Sequence, residues 1–208
     1  MNLMSKFFNN TRKPEGFLGK VMVNGMNGGG HAALAEWGLS FVNISKNDSA
    51  LDCGCGGGAN VKRLLAKCDT AYGIDYSEIS VAKSKEVNAE AIKNNRCEIH
   101  QCDVRSLPFD NDSFNVVTAF ETVYFWKDIE KAFAEIFRVL RNGGTFAITN
   151  ESTGTDKTSV KFSEIIDGMN LYTSEDLKAL LEKAGFTDIQ IHAHDSKPWL
   201  NVTARKAN

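Results

Sequence analysis

The sequence predicts an α/β fold, a doubly wound and mostly parallel seven-stranded sheet with helices on both faces and a C-terminal antiparallel hairpin. From residue 49 onward, short apolar runs alternate with longer amphipathic segments, and neighbouring parallel strands need crossovers of that length. The last two apolar runs are too close together for a helix between them. They are therefore expected to pair with each other at or near one edge of the sheet.

The seven predicted strands are short apolar segments separated by turn residues, at residues 50–53, 70–74, 97–102, 114–120, 144–149, 186–192 and 199–204. Helices are predicted over residues 60–68, 78–94 and 129–140, the last of which keeps an apolar period of 3.6 residues. A turn at residues 142–144 is expected to end that helix. One more helix is expected to take Ser174 as its N-cap and to close at Gly185.

Length and composition favour one packed domain over residues 1–208, with residues 1–40 as a helical cap within it. Of the 208 residues, 42% are hydrophobic and 24% are charged, close to the averages for globular proteins. The apolar residues between 16 and 40 predict two short helices, joined by a flexible glycine-rich hinge at residues 24–30.

The charge balance and the absence of long apolar segments limit the kinds of partner that the protein is expected to bind. A formal net charge of -2 offers no basic surface for DNA or RNA, so no nucleic acid is expected. No segment is long and apolar enough for a signal peptide or a membrane span, which predicts a cytoplasmic protein without membrane contact. We expect a monomer or a homodimer.

The cysteines and histidines do not form a recognisable metal-binding pattern. Five cysteines without repeated Cys-x-x-Cys spacing indicate free thiols rather than a zinc site. His192 and His194 share one face of a predicted edge strand, but no third ligand accompanies them. No metal is therefore expected.

A glycine loop follows the first predicted strand and opens the first helix of the sheet, where open α/β folds bind nucleotide-like ligands. Glycines at residues 54 and 56, with Ala59, satisfy a dinucleotide fingerprint, and Asp75 lies at about the ~20-residue spacing expected of a ribose-binding acid. The loop alone does not choose between NAD and S-adenosylmethionine, and it is also compatible with a simple strand-to-helix turn.

Asp52 favours S-adenosylmethionine over NAD, because it places a carboxylate inside the strand before the loop. Dinucleotide binders normally keep an apolar residue there, and a carboxylate would repel a pyrophosphate. A ligand that carries an ammonium and a sulfonium but no phosphate removes the conflict.

Five segments together resemble the class I S-adenosylmethionine-dependent methyltransferases. Residues 50–58 match the first motif of that family, apolar-apolar-Asp-x-Gly-x-Gly-x-Gly. Residues 73–77, 101–109 and 114–121 are similar to its second, third and fourth strand signatures. Residues 135–144 resemble the helix-to-strand turn of its small-molecule branch, the type 11 methyltransferase domain. The order and spacing of these pieces, from about residue 49 to 185, make the resemblance specific.

The resemblance implies S-adenosylmethionine as the cofactor and gives roles to the motif residues. The loop glycines line the site of its methionine part, with Asp52 near the ammonium, and Asp75 binds both ribose hydroxyls. Asp103 meets the adenine amino group, and Val104 packs on the ring. Each acid also has a structural alternative that the sequence leaves open: a helix cap for Asp52, an ordinary strand-end acid for Asp75 and a solvated turn for Asp103. The expected cofactor-binding residues are Asp52, Gly54, Cys55, Gly56, Gly58, Asp75, Tyr76, Asp103, Val104 and Phe120.

Residues 120–126 follow the fourth strand, where the transferable methyl and the acceptor are expected to meet. Direct transfer from a sulfonium needs positioning but no dedicated nucleophile. The catalytic residue is therefore not identified, and Glu121, Tyr124 and His31 are the candidates if a base is required. Two of them also have a structural alternative, since His31 could be solvated and Tyr124 could pack in the core.

Missing motifs favour a small organic acceptor. Neither the Asn-Pro-Pro-Tyr motif of base-nitrogen methylation nor a Pro-Cys nucleophile occurs in the sequence. The helical cap is expected to fold over the cofactor and to open for exchange. Two alternatives remain, a NAD-dependent oxidoreductase and a non-catalytic module that binds S-adenosylmethionine.

Overall fold

The computed structural model describes residues 11–12, 14–26 and 29–207. The strands are β1 (Ser49–Cys53), β2 (Thr70–Asp75), β3 (Cys97–Gln101), β4 (Phe114–Phe120), β5 (Leu140–Asn150), β6 (Thr187–Ala193) and β7 (Leu200–Arg205). The helices are α1 (Gly16–Met26), α2 (Gly29–Leu39), α3 (Ala59–Leu65), α4 (Glu78–Val87), α5 (Ala89–Lys93), α6 (Ile129–Val139), α7 (Lys157–Ile165) and α8 (Ser174–Lys183), and a 3₁₀ turn covers Val123–Phe125.

The seven strands form one sheet in the order β3-β2-β1-β4-β5-β7-β6. The first five strands are parallel to one another, while β7 runs antiparallel between β5 and β6. This confirms the predicted doubly wound sheet and its C-terminal hairpin. Strand order reverses at β1, which pairs with both β2 and β4, and a crevice at this switch point is where open α/β sheets bind ligands.

Two apolar clusters form the core. One includes buried side chains of α6 and α8 together with β4, β5 and β7. The other includes side chains of α2, α3 and α4 together with β1, β2 and β3. Because both clusters draw on strands and helices, the carboxyl ends of the central strands are held at fixed positions.

The helix predicted over residues 78–94 is divided into α4 and α5 at Asn88. The Asn88 amide donates to the carbonyls of Ser84, 2.9 Å away, and of Gly58, 3.1 Å away. A side chain that bonds its own preceding turn competes with the helical backbone. The sequence prediction was therefore wrong about helix continuity, and the break ties α4 to the glycine loop.

Two other boundaries differ from the prediction. The N-cap of α8 is Thr173 rather than Ser174, because Thr173 and Asp176 form a reciprocal capping box. The residues predicted as a turn before the fifth strand belong to β5, which begins at Leu140 directly after α6. The pairing of β4 with β5 is irregular there, and Gly143 adopts a φ of 75°.

The two N-terminal helices are present as α1 and α2, but α1 continues through residues 24–26, which were predicted as part of the hinge. The other hinge residues include Asn27 and Gly28, which lie outside the described residues. Among the helices that the described ranges contain, none has both the length and the apolarity to cross a bilayer.

Candidate cofactor and acceptor site

Two adjoining cavities lie at the carboxyl ends of the central strands. The larger has a volume of about 330 Å³ and the smaller about 70 Å³. The larger is bordered by the ends of β2 and β4 and by residues 102–105, and the smaller by the glycine loop, α2 and α3. Both cavities are lined by Gly54, Gly56, Phe120 and Glu121. These four residues therefore mark the junction between the two cavities.

The glycine loop leaves room for a ligand on one side and packs tightly on the other. Gly54 has a φ of 78°, and a Cβ there would lie 2.2 Å from the Thr122 hydroxyl oxygen. Gly56 has a φ of 50° and open space where its Cβ would be. Gly58 has a φ of 83°, and a Cβ there would collide with α4. Gly58 lines neither cavity, so its expected role as a cofactor wall is replaced by helix packing.

Asp75 ends β2 beside the loop and lines the larger cavity. One carboxylate oxygen accepts from the Gly56 backbone N–H at 3.0 Å, and the other accepts from the Ser77 N–H at 2.8 Å. Burial raises the pKa of Asp75, while these two bonds oppose the shift. Asp75 therefore fixes the loop and presents acceptor oxygens to the cavity.

Asp52 lies behind the loop rather than in a cavity wall. It is 1% exposed and lines neither cavity. One oxygen accepts from the Thr118 hydroxyl at 2.7 Å, and the other has no hydrogen-bond partner within the described part of the chain. Burial raises the pKa of Asp52 to about 7. A direct contact with a ligand in either cavity is thus not part of this geometry, and a bridging water remains compatible with it.

The segment after β3 supplies one end of the larger cavity. Asp103 lines it, but its carboxylate is paired with Arg105 at 2.7 and 2.9 Å, which lowers the pKa of Asp103. Val104 is buried at the same wall. An adenine contact at Asp103 would use carboxylate lone pairs that the guanidinium leaves available.

An N-terminal segment reaches over the same cavity. The Tyr76 hydroxyl donates to the Arg12 carbonyl, and the Ser77 hydroxyl donates to the Pro14 carbonyl at 2.9 Å. Arg12 and Pro14 line the cavity together with Val23 of α1. The predicted cap over residues 1–40 includes both positions, but nothing in the polar start of the chain pointed to Arg12 or Pro14 as wall residues.

The three candidate catalytic residues come together at the end of β4. Glu121 has a φ of 58°, and its carboxylate accepts from the Glu151 backbone N–H and from the Tyr124 hydroxyl. Burial raises the pKa of Glu121 to about 7. Ligand-capable atoms of His31, Glu121 and Glu151 all lie within 4.8 Å of one another. We call these three residues the acidic junction.

The members of the acidic junction come from three elements. His31 is on α2, Glu121 follows β4, and Glu151 follows β5, whose end lies beside the end of β4. Tyr124 is buried and lines neither cavity, so it acts on the junction through Glu121. Glu151 was missed from the sequence, although its position directly after a parallel strand next to β4 was a usable signal.

Other titratable clusters have structural explanations. His192 stacks on Phe41 with ring centroids 3.9 Å apart, and His194 packs against Trp37 and Trp199. All five cysteines are free thiols, as predicted. Within the described residues, the acidic junction is the group of His, Cys, Asp and Glu side chains close enough to hold a metal ion.

The fold and the site define a class of protein. A doubly wound sheet with β7 inserted antiparallel, a glycine loop after β1 and an acid at the end of β2 is the architecture of the class I S-adenosylmethionine-dependent methyltransferases. The residues present suit that cofactor, because Gly56 opens onto the cavity and the acids at the junction match a cation.

Comparison with known proteins gives the same family. A family model described as "Methyltransferase domain" matches residues 51–148. An uncharacterized methyltransferase of Bacillus subtilis, YdaC, is 28% identical over 173 residues, which cover 82% of this chain and 89% of that protein. The chain is thus a class I S-adenosylmethionine-dependent methyltransferase, and S-adenosylmethionine is its cofactor. The oxidoreductase alternative is set aside.

More distant relatives have named acceptors. The 24-methylenesterol C-methyltransferase 3 of Arabidopsis thaliana is 25% identical over 80% of this chain, which spans 50% of that protein. Phosphoethanolamine N-methyltransferase 2 of Haemonchus contortus has a TM-score of 0.79 at 17% identity, over 100% of this chain and 61% of that one. At this identity the second likeness shows the fold alone.

Proposed function

We propose that the protein transfers the methyl group of S-adenosylmethionine directly to a small organic acceptor. The observation that carries this proposal is that two cavities of unequal size meet at Glu121 and the loop glycines. The adenosyl part of the cofactor suits the larger cavity and the methionyl part suits the smaller. The sulfonium joins these parts, so the methyl group belongs at the junction.

In this arrangement the backbone of the loop and three acids hold the cofactor. Asp75 accepts hydrogen bonds from the ribose hydroxyls, because its carboxylate faces the larger cavity from the end of β2. Asp103 and Val104 border the adenine end, where one is polar and the other is apolar. Asp52 acts at longer range, through the field of a buried carboxyl group behind the loop. Tyr76, Cys55 and Phe120 complete the walls.

Positioning supplies most of the rate acceleration in such a displacement, because the sulfonium is already an activated leaving group; effective alignment can contribute roughly 7–11 kcal/mol. Where the acceptor must lose a proton, Glu121 is the proposed base. Tyr124 is a positioning residue that donates to Glu121, and His31 is a second proton acceptor at the junction.

A small acceptor is supported by the limited volume of the larger cavity, about 330 Å³. The larger cavity is bounded by Phe125 and Trp126 on the β4 side and by the N-terminal segment above it. Sterol and phosphoethanolamine, named for the relatives, are small-molecule acceptors. A polymer substrate would need an open groove beside the junction.

Two measurements test the proposal. Calorimetric titration should give saturable binding of S-adenosylhomocysteine and none of NAD. A screen of small amines, alcohols and carbon acids, scored by S-adenosylhomocysteine formation, should then yield turnover with at least one acceptor. Binding without turnover on any acceptor would support the non-catalytic module instead.

A further inference from the structure

The acidic junction combines two carboxylates with one histidine. Among the ion pairs of the described residues, none involves Glu121 or Glu151. Their carboxylates lie near each other, and the proximity of Glu151 contributes to the raised pKa of Glu121 after the larger effect of burial. Neighbouring carboxylates disfavour each other's ionised form, and a proton or another cation placed between them relieves that repulsion.

The arginines around the two cavities direct their hydrogen bonds away from the acidic junction. Arg105 forms a fork with Asp103, and Arg12 donates to the Asp167 carbonyl at 2.8 Å. Arg63, in the wall of the smaller cavity, donates to the Asn60 side chain at 2.9 Å. Two of these arginines bond neutral groups and so keep their charge, and Lys127 also lines the larger cavity. Charges of both signs therefore border the cavities, and the carboxylates close to His31 at the acidic junction are those of Glu121 and Glu151.

We infer that the methyl acceptor is an amine that binds as its ammonium form at the acidic junction. This inference rests on the proposed function. Glu121 is half-buried and lines both cavities, while Glu151 is exposed beside it and lines neither. Two carboxylates at this position attract an ammonium and repel a phenolate, carboxylate or phosphate. Phe125 and Trp126 line the larger cavity, and aromatic side chains bind organic cations favourably.

The same groups account for where the proton goes during N-methylation. The bound ammonium first gives one proton to Glu121, which leaves a neutral nitrogen with a lone pair. That lone pair forms the new nitrogen–carbon bond while the carbon–sulfur bond breaks and its electron pair stays on sulfur. The positive charge moves from sulfur to nitrogen, and the product leaves as an ammonium stabilised by Glu121 and Glu151.

A charge-matched probe series tests this inference. 2-Phenylethylamine, 2-phenylethanol and phenylacetate have similar size but differ in charge. Their dissociation constants are measured by calorimetry on protein saturated with S-adenosylhomocysteine. The amine should bind about tenfold tighter than the alcohol, and phenylacetate should bind weakest. Glu151→Gln should reduce the preference for the amine several-fold, because it removes one charge on an exposed side chain.

Glu98→Gln is the matched control, because Glu98 is an exposed carboxylate that also lies beside a histidine, His100, at the far edge of the sheet. It should leave all three constants unchanged. Equal or tighter binding of phenylacetate, no binding of the amine, or an unchanged preference in Glu151→Gln would overturn the inference. So would tight binding of Mn²⁺ alone that Glu151→Gln abolishes. If the wild-type protein did not bind S-adenosylhomocysteine, that result would instead contradict the proposed function on which this inference rests.

Discussion

At the scale of single residues, the proposed site depends most on Asp75 and Glu121. The sequence made Asp75 a candidate through its spacing from the glycine loop, and Glu121 through its place directly after the fourth predicted strand. Glu151 was not a candidate, since its closeness to Glu121 depends on how far β5 extends beyond β4. Arg12 and Pro14 contribute mainly backbone carbonyls to their contacts, and no side-chain pattern predicts that.

Asp75→Ala should weaken S-adenosylhomocysteine binding by about 1.5–3 kcal/mol per lost charge-assisted hydrogen bond. Asp75→Asn should lose less, because its amide oxygen still accepts one backbone N–H. Calorimetry measures both, with Asp69→Asn on an exposed turn as the control. Wild-type affinity in Asp75→Ala would remove the ribose assignment.

The pH dependence of turnover should follow Glu121. Because its pKa is raised to about 7, the proton-accepting form is scarce below that pH, and kcat/KM should rise as pH increases through about 7. The Tyr124 hydroxyl stabilises the carboxylate, so Tyr124→Phe should move the rising limb to higher pH. The profile is measured with the best acceptor of the screen. Tyr72→Phe, in the core away from the junction, should leave it in place, and an unshifted profile in Tyr124→Phe would contradict the positioning role.

At the scale of elements, helix and strand types were predictable and several boundaries were not. Apolar periodicity identifies α6 because one face is buried in full. The Asn88 side chain at the break bonds both its own preceding turn and the distant Gly58 carbonyl, and no local pattern encodes the second of these bonds. The N-cap of α8 was displaced by one residue because Thr173 and Ser174 are both good caps, and only the reciprocal bond to Asp176 decides between them.

Two glycines of one loop should respond to alanine in opposite ways. At Gly58 a Cβ would lie 2.8 Å from the Ser84 Cα, so Gly58→Ala should lower the free energy of unfolding by about 2 kcal/mol or more. A Cβ added at Gly56 would have no atom within 4 Å apart from its chain neighbours, so only backbone strain of about 1–2 kcal/mol opposes alanine there.

Gly56→Ala should instead weaken S-adenosylhomocysteine binding, because its methyl group enters both cavities. Urea unfolding and calorimetry on the two variants separate these effects. If one variant lost more than the other in both unfolding free energy and S-adenosylhomocysteine affinity, the loop would not have separate ligand and packing sides.

At the scale of the whole molecule, the fold class was predictable because strand–helix alternation allows few topologies, and the short final connection fixes the hairpin. The position of the hairpin was predicted only as near an edge. β7 pairs directly with β5, and a single sequence does not display which strand of the hairpin joins the sheet.

The N-terminal segment should close more firmly over bound cofactor. Its contacts to Tyr76 and Ser77 cover the larger cavity, so S-adenosylhomocysteine should slow tryptic cleavage after Lys20, which is exposed on α1. Tyr76→Phe, which removes the bond to the Arg12 carbonyl, should reduce that protection. Cleavage after Lys178, exposed on α8, serves as the internal reference. Identical cleavage with and without the ligand would contradict the cap.

The insertion of β7 between β5 and β6 also bears on how the molecule assembles during translation. A chain emerging from the ribosome can form β1 to β5 early, but β5 then presents a bare row of amide and carbonyl groups until residues 200–205 appear. An open edge of this kind invites aberrant strand pairing with other nascent polypeptides. Late synthesis of this one strand is therefore the step at which aggregation competes with native folding.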